Sequence, residues 1–214
     1  MRRTICTEDG ILIESSGVTV DLMGFSVTGD GGDVDYGIEV IGSTNAVIDR
    51  VMIKGGTING FGAGLYCKYM NNSRIKDLVI SGNIDDGIYL FGGSSGQCNG
   101  NTVANCTIGN NTGRGIDLVG TQGQCDGNTF HGNSIKGNVY RGIAIYYADG
   151  NRVEANTIVR LGVQRGISER KACEVMGFNR SRYSWSLMSI RENAWPYMST
   201  ERSIRRALNE LWRK

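Results

Sequence analysis

Acids and bases gather around the glycine of a repeating pattern in this 214-residue chain. Asp85-Asp86 precedes a glycine in Asn83-Ile84-Asp85-Asp86-Gly87-Ile88, and Asp117 lies in Gly115-Ile116-Asp117-Leu118. Arg114 and Arg141 take the place of Asp86 in the two later copies. Two carboxylates roughly 5–10 Å apart could serve as acid and base in glycoside cleavage. Tyr36, Tyr66, Tyr89, Phe91 and Tyr146 fall on the same face. Aromatic residues beside carboxylates suit a sugar-binding groove, because sugar C–H faces pack on rings while hydroxyls need fixed polar partners. The plainer alternative is a surface charge ladder of Asp86, Arg114 and Arg141, with tyrosines that merely favour strands. Metal chemistry has little to work with: the six cysteines include no CxxC pair and His131 is the only histidine, so neither a metal nor a cofactor is expected.

The shared register comes from a repeat. Gly10-Ile11-Leu12-Ile13 returns as Gly37-Ile38-Glu39-Val40, Gly64-Leu65-Tyr66-Cys67, Gly87-Ile88-Tyr89-Leu90, Gly115-Ile116-Asp117-Leu118 and Gly142-Ile143-Ala144-Ile145. The glycines are 27, 27, 23, 28 and 27 residues apart. A period of this size marks a solenoid, in which each repeat buries its apolar face only against its neighbours. A second apolar stretch follows each glycine strand, at Val20, Ile48, Ile75, Val103, Phe130 and Val153. Five residues further on stand Phe25, Ile53, Ile80, Ile108, Ile135 and Ile158. Alternation with period two, Gly/Asn/Asp/Ser turns and no helical periodicity give short strands throughout.

Aligning the coils on the glycine predicts an outward column of Glu39, Tyr66, Tyr89, Asp117 and Ala144. Ile41, Lys68, Phe91, Val119 and Tyr146 make the next, and Tyr36, Ala63, Asp86, Arg114 and Arg141 precede the glycines. Asparagines recur at Asn45, Asn72, Asn101, Asn128 and Asn151, and again at Asn105, Asn133 and Asn156. They read as corner residues tolerant of left-handed backbone, whose stacked amides can also bond from coil to coil. The near-duplicates Gly96-Gln97-Cys98-Asn99-Gly100-Asn101-Thr102 and Gly123-Gln124-Cys125-Asp126-Gly127-Asn128-Thr129 set Cys98 and Cys125 about one strand spacing apart, within reach of a disulfide.

Composition breaks after residue 160. Residues 1–160 hold 12 Lys/Arg and 16 Asp/Glu, residues 161–214 hold 11 and 5, and all three tryptophans and the only proline lie in the later segment. Ser168 reads as a helix N-cap, Ala172, Val175 and Met176 as its apolar set, and Gly177 as its stop. A second start follows at Asn179-Arg180-Ser181, the layout of a helix-turn-helix. Arg170, Lys171, Arg180 and Arg182 could contact phosphates, although a single truncated unit would bind DNA weakly. Thr200–Arg213 carries an amphipathic pattern suited to capping a solenoid end.

Two resemblances follow from these residues. The stretch VTVDLMGFSVTGDGG, with YGIEV and NAVIDRVMIKGGTINGFGAGLY, resembles exported bacterial right-handed parallel β-helix proteins of the pectate-lyase-like superfamily, over about residues 10–160. Its enzymatic relatives are polysaccharide lyases, polygalacturonases and uronate epimerases. Of the polygalacturonase motifs only the paired acid has a counterpart, at Asp85-Asp86; the Gly-His-Gly is missing, and Arg74-Ile75-Lys76 lies on the wrong side of the acids. The stretch of about residues 162–185 resembles the start of an orfB-type insertion-sequence transposase through Ser168, Arg170, Ala172, Cys173, Gly177, Arg180, Ser181 and Tyr183. The catalytic core of such an enzyme is absent.

The expectation is an all-β fold, a right-handed parallel β-helix of about six coils over residues 5–160, with a short α-helical segment over 161–214. Its function is read as a noncatalytic carbohydrate-binding or cell-surface structural module. The alternatives are a polysaccharide hydrolase or lyase acting through Asp86 and Asp117, and weak DNA binding by the tail. Open coil ends would favour self-association. No apolar stretch reaches membrane-spanning length and no signal peptide stands at Met1, although the relatives it resembles are exported.

Overall fold

The computed structural model describes residues 6–93, 96–121 and 124–159, and among these the chain forms strands and turns with no helix. The first coil carries β1 (Ile11–Ile13), β2 (Thr19–Asp21) and β3 (Ser26–Thr28). The second carries β4 (Tyr36–Ile41), β5 (Ile48–Asp49) and β6 (Met52–Asn59), and the third β7 (Ala63–Lys68), β8 (Met70–Asn71) and β9 (Arg74–Ser81). The fourth holds β10 (Ile88–Gly93), β11 (Thr102–Ala104) and β12 (Thr107–Gly109), and the fifth β13 (Ile116–Gly120), β14 (Thr129–His131) and β15 (Ser134–Lys136). The last comprises β16 (Ile143–Tyr146), β17 (Arg152–Glu154) and β18 (Thr157–Val159). All strand pairs are parallel. One sheet stacks β1, β4, β7, β10, β13 and β16, and a ten-stranded sheet gathers the others apart from the separate pair β5–β8. In β6 and β9 two columns run through one bent strand: β6 pairs with β2 near its start and with β3 near its end.

The glycine column is set by space rather than by turn geometry. A methyl group on Gly87 would lie 2.6 Å from Ile108 Cγ2 and 2.7 Å from the Gly115 carbonyl oxygen. On Gly115 it would meet Ile135 Cγ2 at 2.6 Å and the Gly142 carbonyl oxygen at 2.5 Å. Each repeat glycine thus lets an inward β-branched side chain of the opposite sheet, Val27 at Gly10 and an isoleucine at the other five, touch bare backbone. Ile38, Leu65, Ile88 and Ile116 are fully buried beside these glycines, as are Ile53, Ile58, Ile80 and Ile108 across the core. Each such side chain contributes about 1.5–3 kcal/mol of burial free energy.

The register corrects the alignment of the early coils. Val20 pairs with Ile53, which pairs with Ile75, and Val27 pairs with Ile58, which pairs with Ile80. Phe25 is therefore not a core residue; it is 74% exposed. Met23 (φ 49°) and Gly24 (φ 85°) form a longer corner here, which shifts the next inward position to Val27. Ile48 belongs to β5, opposite Met70 of β8.

Asparagines do both expected jobs, but different residues do each. Asn72 (φ 49°), Asn105 (φ 54°) and Asn110 (φ 56°) are left-handed corners. The buried ladders sit beside them. The Asn101 N–H donates to Asn128 Oδ1 and the Asn128 N–H to Asn151 Oδ1, both at 2.8 Å, while Ser73 rather than Asn72 precedes Asn101 in this row. The Asn133 N–H and amide both donate to Asn156 Oδ1 at 2.9 Å, and Cys106 rather than Asn105 precedes Asn133. A third ladder, not anticipated from the sequence, runs Asn83–Asn111–Asn138, with amide-to-amide bonds of 2.9 Å at both steps. Asn45 takes no part and is exposed in the Ser43–Ala46 turn.

Cys98 stacks on Cys125 as its position implies, with the Cys98 N–H donating to the Gln124 carbonyl at 2.8 Å. The two buried side chains are free thiols: Cys125 Sγ donates to the Val119 carbonyl at 3.2 Å, and Cys98 Sγ accepts from the Asn101 amide at 3.5 Å. The segment 161–214, with Arg170, Lys171, Arg180 and Arg182, lies outside the described residues. No helix among the described residues is long and apolar enough to cross a membrane.

Replacing Asn111 tests the ladder. Asn111→Ala strips the Asn83 N–H and amide of their shared acceptor in the core. It should cost about 2–5 kcal/mol in a denaturant titration, whereas Asn45→Ala should stay within about 0.5 kcal/mol. Equal effects of the two substitutions would remove the ladder as a source of stability.

Candidate functional site

Alternate residues of the six-stranded sheet point outward. The pairing aligns Glu39, Tyr66, Tyr89, Asp117 and Ala144 in one column and Ile41, Lys68, Phe91, Val119 and Tyr146 in the next. Tyr36 pairs with Ala63, and the N–H groups of Gly64, Gly87 and Gly115 donate to the carbonyls of Asp86, Arg114 and Arg141, which continue that row. These are the columns that the glycine alignment predicts. One coil earlier the Gly10 N–H donates to the Tyr36 carbonyl, which brings Asp9 into the same row. Asp9 was missed in the sequence although it occupies the position before the first repeat glycine.

The aromatic residues form a ladder along the coil axis. Tyr36 and Tyr66 stack with ring centroids 4.6 Å apart and planes 19° apart. Tyr66 and Tyr89 follow at 5.5 Å and 48°, and Tyr89 and Phe91 at 5.9 Å and 44°. Tyr69, in left-handed backbone, adds a further ring 6.5 Å from Phe91. Tyr66 has a ring neighbour on each side, so the ladder offers ring edges and hydroxyls more than open faces. Burial, reinforced by the neighbouring phenols, pushes the Tyr66 hydroxyl up to about 12. Tyr146 stands apart from this ladder and pairs with the arginines: the Arg114 guanidinium lies 5.9 Å from its ring centroid, and Arg141 Nη1 donates to its hydroxyl at 2.8 Å.

Beyond Tyr89 the column turns polar. Arg114 Nη1 lies 3.1 Å from Asp117 Oδ2 and 3.6 Å from Asp86 Oδ2, and the Arg114 N–H donates to Asp86 Oδ1 at 2.6 Å. A shared guanidinium nitrogen keeps the two Oδ2 atoms no more than about 7 Å apart. The two carboxylate side chains are only 4% and 6% exposed. Burial raises both above the usual range, Asp117 to about 6, against the opposing pull of Arg114. Gly113 makes room for this cluster, since a methyl there would overlap the Asp86 carboxylate and approach Asp85 Oδ1 at 2.5 Å. Neither that close approach nor the covering of the carboxylates is visible in residue types. At the other end of the ladder burial, and then Asp9, raises the Glu39 carboxyl.

Among the described residues no group of three or more His, Cys, Asp or Glu side chains converges as a metal site would require. Among the described residues, the buried side-chain nitrogen or oxygen atoms without a hydrogen-bond partner are Arg114 Nε, Asp117 Oδ1 and Thr121 Oγ1.

The Asp117 shift has a signed consequence. Its folded carboxyl holds a proton up to about pH 6, while the unfolded one releases it near 3.8. Between those values the native state binds more protons, so this group adds stability as pH falls and none above the window. The stability of the native chain relative to Asp117→Asn should rise by on the order of 2 kcal/mol from pH 7.5 to 4.5. Denaturant titrations of both proteins across this range check it, and parallel profiles would contradict the shift.

A comparison with curated proteins finds no match. Among solved structures the chain is similar to a crystal structure of the Agl-KA catalytic domain, at 17% identity and a TM-score of 0.43, covering 72% of this chain. It spans 36% of that one. The family described as right handed beta helix region matches residues 4–167. With its stacked parallel strands and in-register columns, the chain belongs to the right-handed β-helix family.

Proposed function

We propose that the outward face of the six-stranded sheet binds a carbohydrate chain without cleaving it. The observation that carries this reading is the row Tyr36–Tyr66–Tyr89, one ring per coil with Phe91 beside Tyr89 on the same strand, which leads into the Asp86–Arg114–Asp117 cluster. A polymer laid along the coil axis would meet ring edges and phenol hydroxyls at each coil, and then charged hydrogen-bonding groups. Such a row suits a repeating ligand because the coils themselves repeat. Both carboxylates are covered and engaged with Arg114, which counts against cleavage. An acid and base acting on a glycoside must reach the scissile oxygen and a water or sugar carbon.

A hydrolase acting through Asp86 and Asp117 is the second reading. It is favoured by the raised Asp117 carboxyl, which retains a proton up to about pH 6 beside a second acid, as a proton donor requires.

Affinity electrophoresis through gels containing neutral or acidic polysaccharides, with reducing-end assays on the same mixtures, separates the two. Under the binding reading at least one polysaccharide retards the chain, Tyr66→Ala weakens retention about tenfold or more, and no new ends appear. Release of ends that is abolished in Asp86→Asn and Asp117→Asn would establish the hydrolase instead. No retardation by any polysaccharide, with no ends released, would remove both.

A further inference from the structure

Two of the unpartnered buried atoms belong to one ion pair. Arg114 Nε is a donor without an acceptor and Asp117 Oδ1 an acceptor without a donor, and they sit on the guanidinium and carboxylate that meet at 3.1 Å. Buried polar groups are almost always satisfied, so a donor and an acceptor orphaned side by side call for an occupant able to fill both roles. We propose that the Arg114–Asp117 pair is a subsite for one hydroxyl group of a neutral glycan, and that the face discriminates against uronate-bearing chains. The proposal rests on the carbohydrate-binding reading and narrows it to a ligand class.

A hydroxyl accepts from Arg114 Nε through a lone pair while its proton goes to Asp117 Oδ1. A uronate carboxylate is acceptor-only, so it would leave Asp117 Oδ1 unsatisfied and bring a like charge against it. Charge on the surrounding elements points the same way. Arg114 is already matched by Asp86 and Asp117, and Asp85 adds an exposed acid on the coil that carries Asp86. The other arginine of the cluster, Arg141, donates to Tyr146.

The geometry also supplies a way in. The column that holds rings at Tyr66 and Tyr89 narrows to Asp117 and then to Ala144, the smallest side chain of the column. Arg141 and Tyr146 join across Ala144 by their 2.8 Å hydrogen bond, and the Tyr146 ring lies against Arg114. Both side chains are part-exposed, so a sugar hydroxyl approaching Arg114 from the Tyr146 side meets partly solvated groups first.

Isothermal titration of the full chain at pH 7.5 with neutral gluco-, galacto- and manno-oligosaccharides, and with oligogalacturonates, tests the proposal. At least one neutral series should bind ten times more tightly than the oligogalacturonates. Arg114→Lys, which keeps the cation but lacks the Nε donor, should lose that preference through a tenfold or greater loss for the neutral ligand. Asp117→Asn gives a second test of the pair should Arg114→Lys unfold, and it should lower neutral binding likewise. Equal or tighter binding of oligogalacturonates overturns the neutral-ligand inference while carbohydrate binding stands. Neutral binding that neither variant changes overturns the subsite, and leaves the orphan pair as a place for a water. No binding by any series overturns both this inference and the carbohydrate-binding reading.

Discussion

Bare backbone at one corner of every coil is the constraint on which the rest of this molecule depends. A valine or isoleucine γ-methyl from the far sheet occupies the volume where the repeat glycine would carry a side chain, and in the first five coils the carbonyl of the next glycine closes the same space from the side. Any larger residue would push the two sheets apart and displace the coil above. The glycines therefore act as spacers of minimum thickness. Because they stack in register, they carry the register of all the outward columns with them. The tyrosine ladder and the acid–arginine cluster are positioned by a contact inside the core.

The asparagine ladders solve a second problem posed by the same geometry. Tight corners bury backbone N–H groups that have no strand partner, and burial without a partner costs roughly 1–3 kcal/mol for each group. An asparagine from the next coil offers Oδ1 to that N–H, while its own amide nitrogen returns to a carbonyl of the coil before, as Asn138 does to Ile108 at 3.1 Å. The corner is thus satisfied by its neighbours rather than by water, and a side chain with either half of the amide missing would leave one bond unmade. Asp86 performs a related service at the functional face, where its Oδ1 accepts the Arg114 N–H. That bond gives the carboxylate a structural duty in addition to any contact with a ligand.

Much of this was legible in the residues, and the failures have local causes. Glycine and alternating apolar residues revealed the coils because those requirements are steric and recur unchanged. The columns of Tyr66, Tyr89, Asp117 and Phe91 followed at once. Phe25 was misplaced because the corner at Met23 and Gly24 is longer than its counterparts, and spacing borrowed from later coils does not transfer to it. The ladder was assigned to Asn72 and Asn105 when it passes through Ser73 and Cys106, since a corner asparagine and a buried one differ by a single position and share a composition. Asp9 carried a usable signal in its place before Gly10. The covering of Asp86 and Asp117, the room left by Gly113, and the turning of the tyrosine rings toward one another depend on packing across coils, which no single repeat encodes.

The amide ladder at the Asn83 position begins only in the third coil, where Asn83 Oδ1 accepts the N–H of Phe61, and the earlier coil offers Phe61 itself in place of an amide. Contacts in a solenoid reach only from one coil to the next, so cohesion need not be uniform along the axis. The middle coils are riveted by polar rows as well as by apolar packing, whereas the first two lean more heavily on packing alone. The outward face of the six-stranded sheet therefore spans a gradient of cohesion: Tyr36 stands on the part held mainly by packing, and Asp117 on a part fastened from several sides. A ligand lying along the whole face would bridge that gradient and draw the softer coils into the order of the firmer ones.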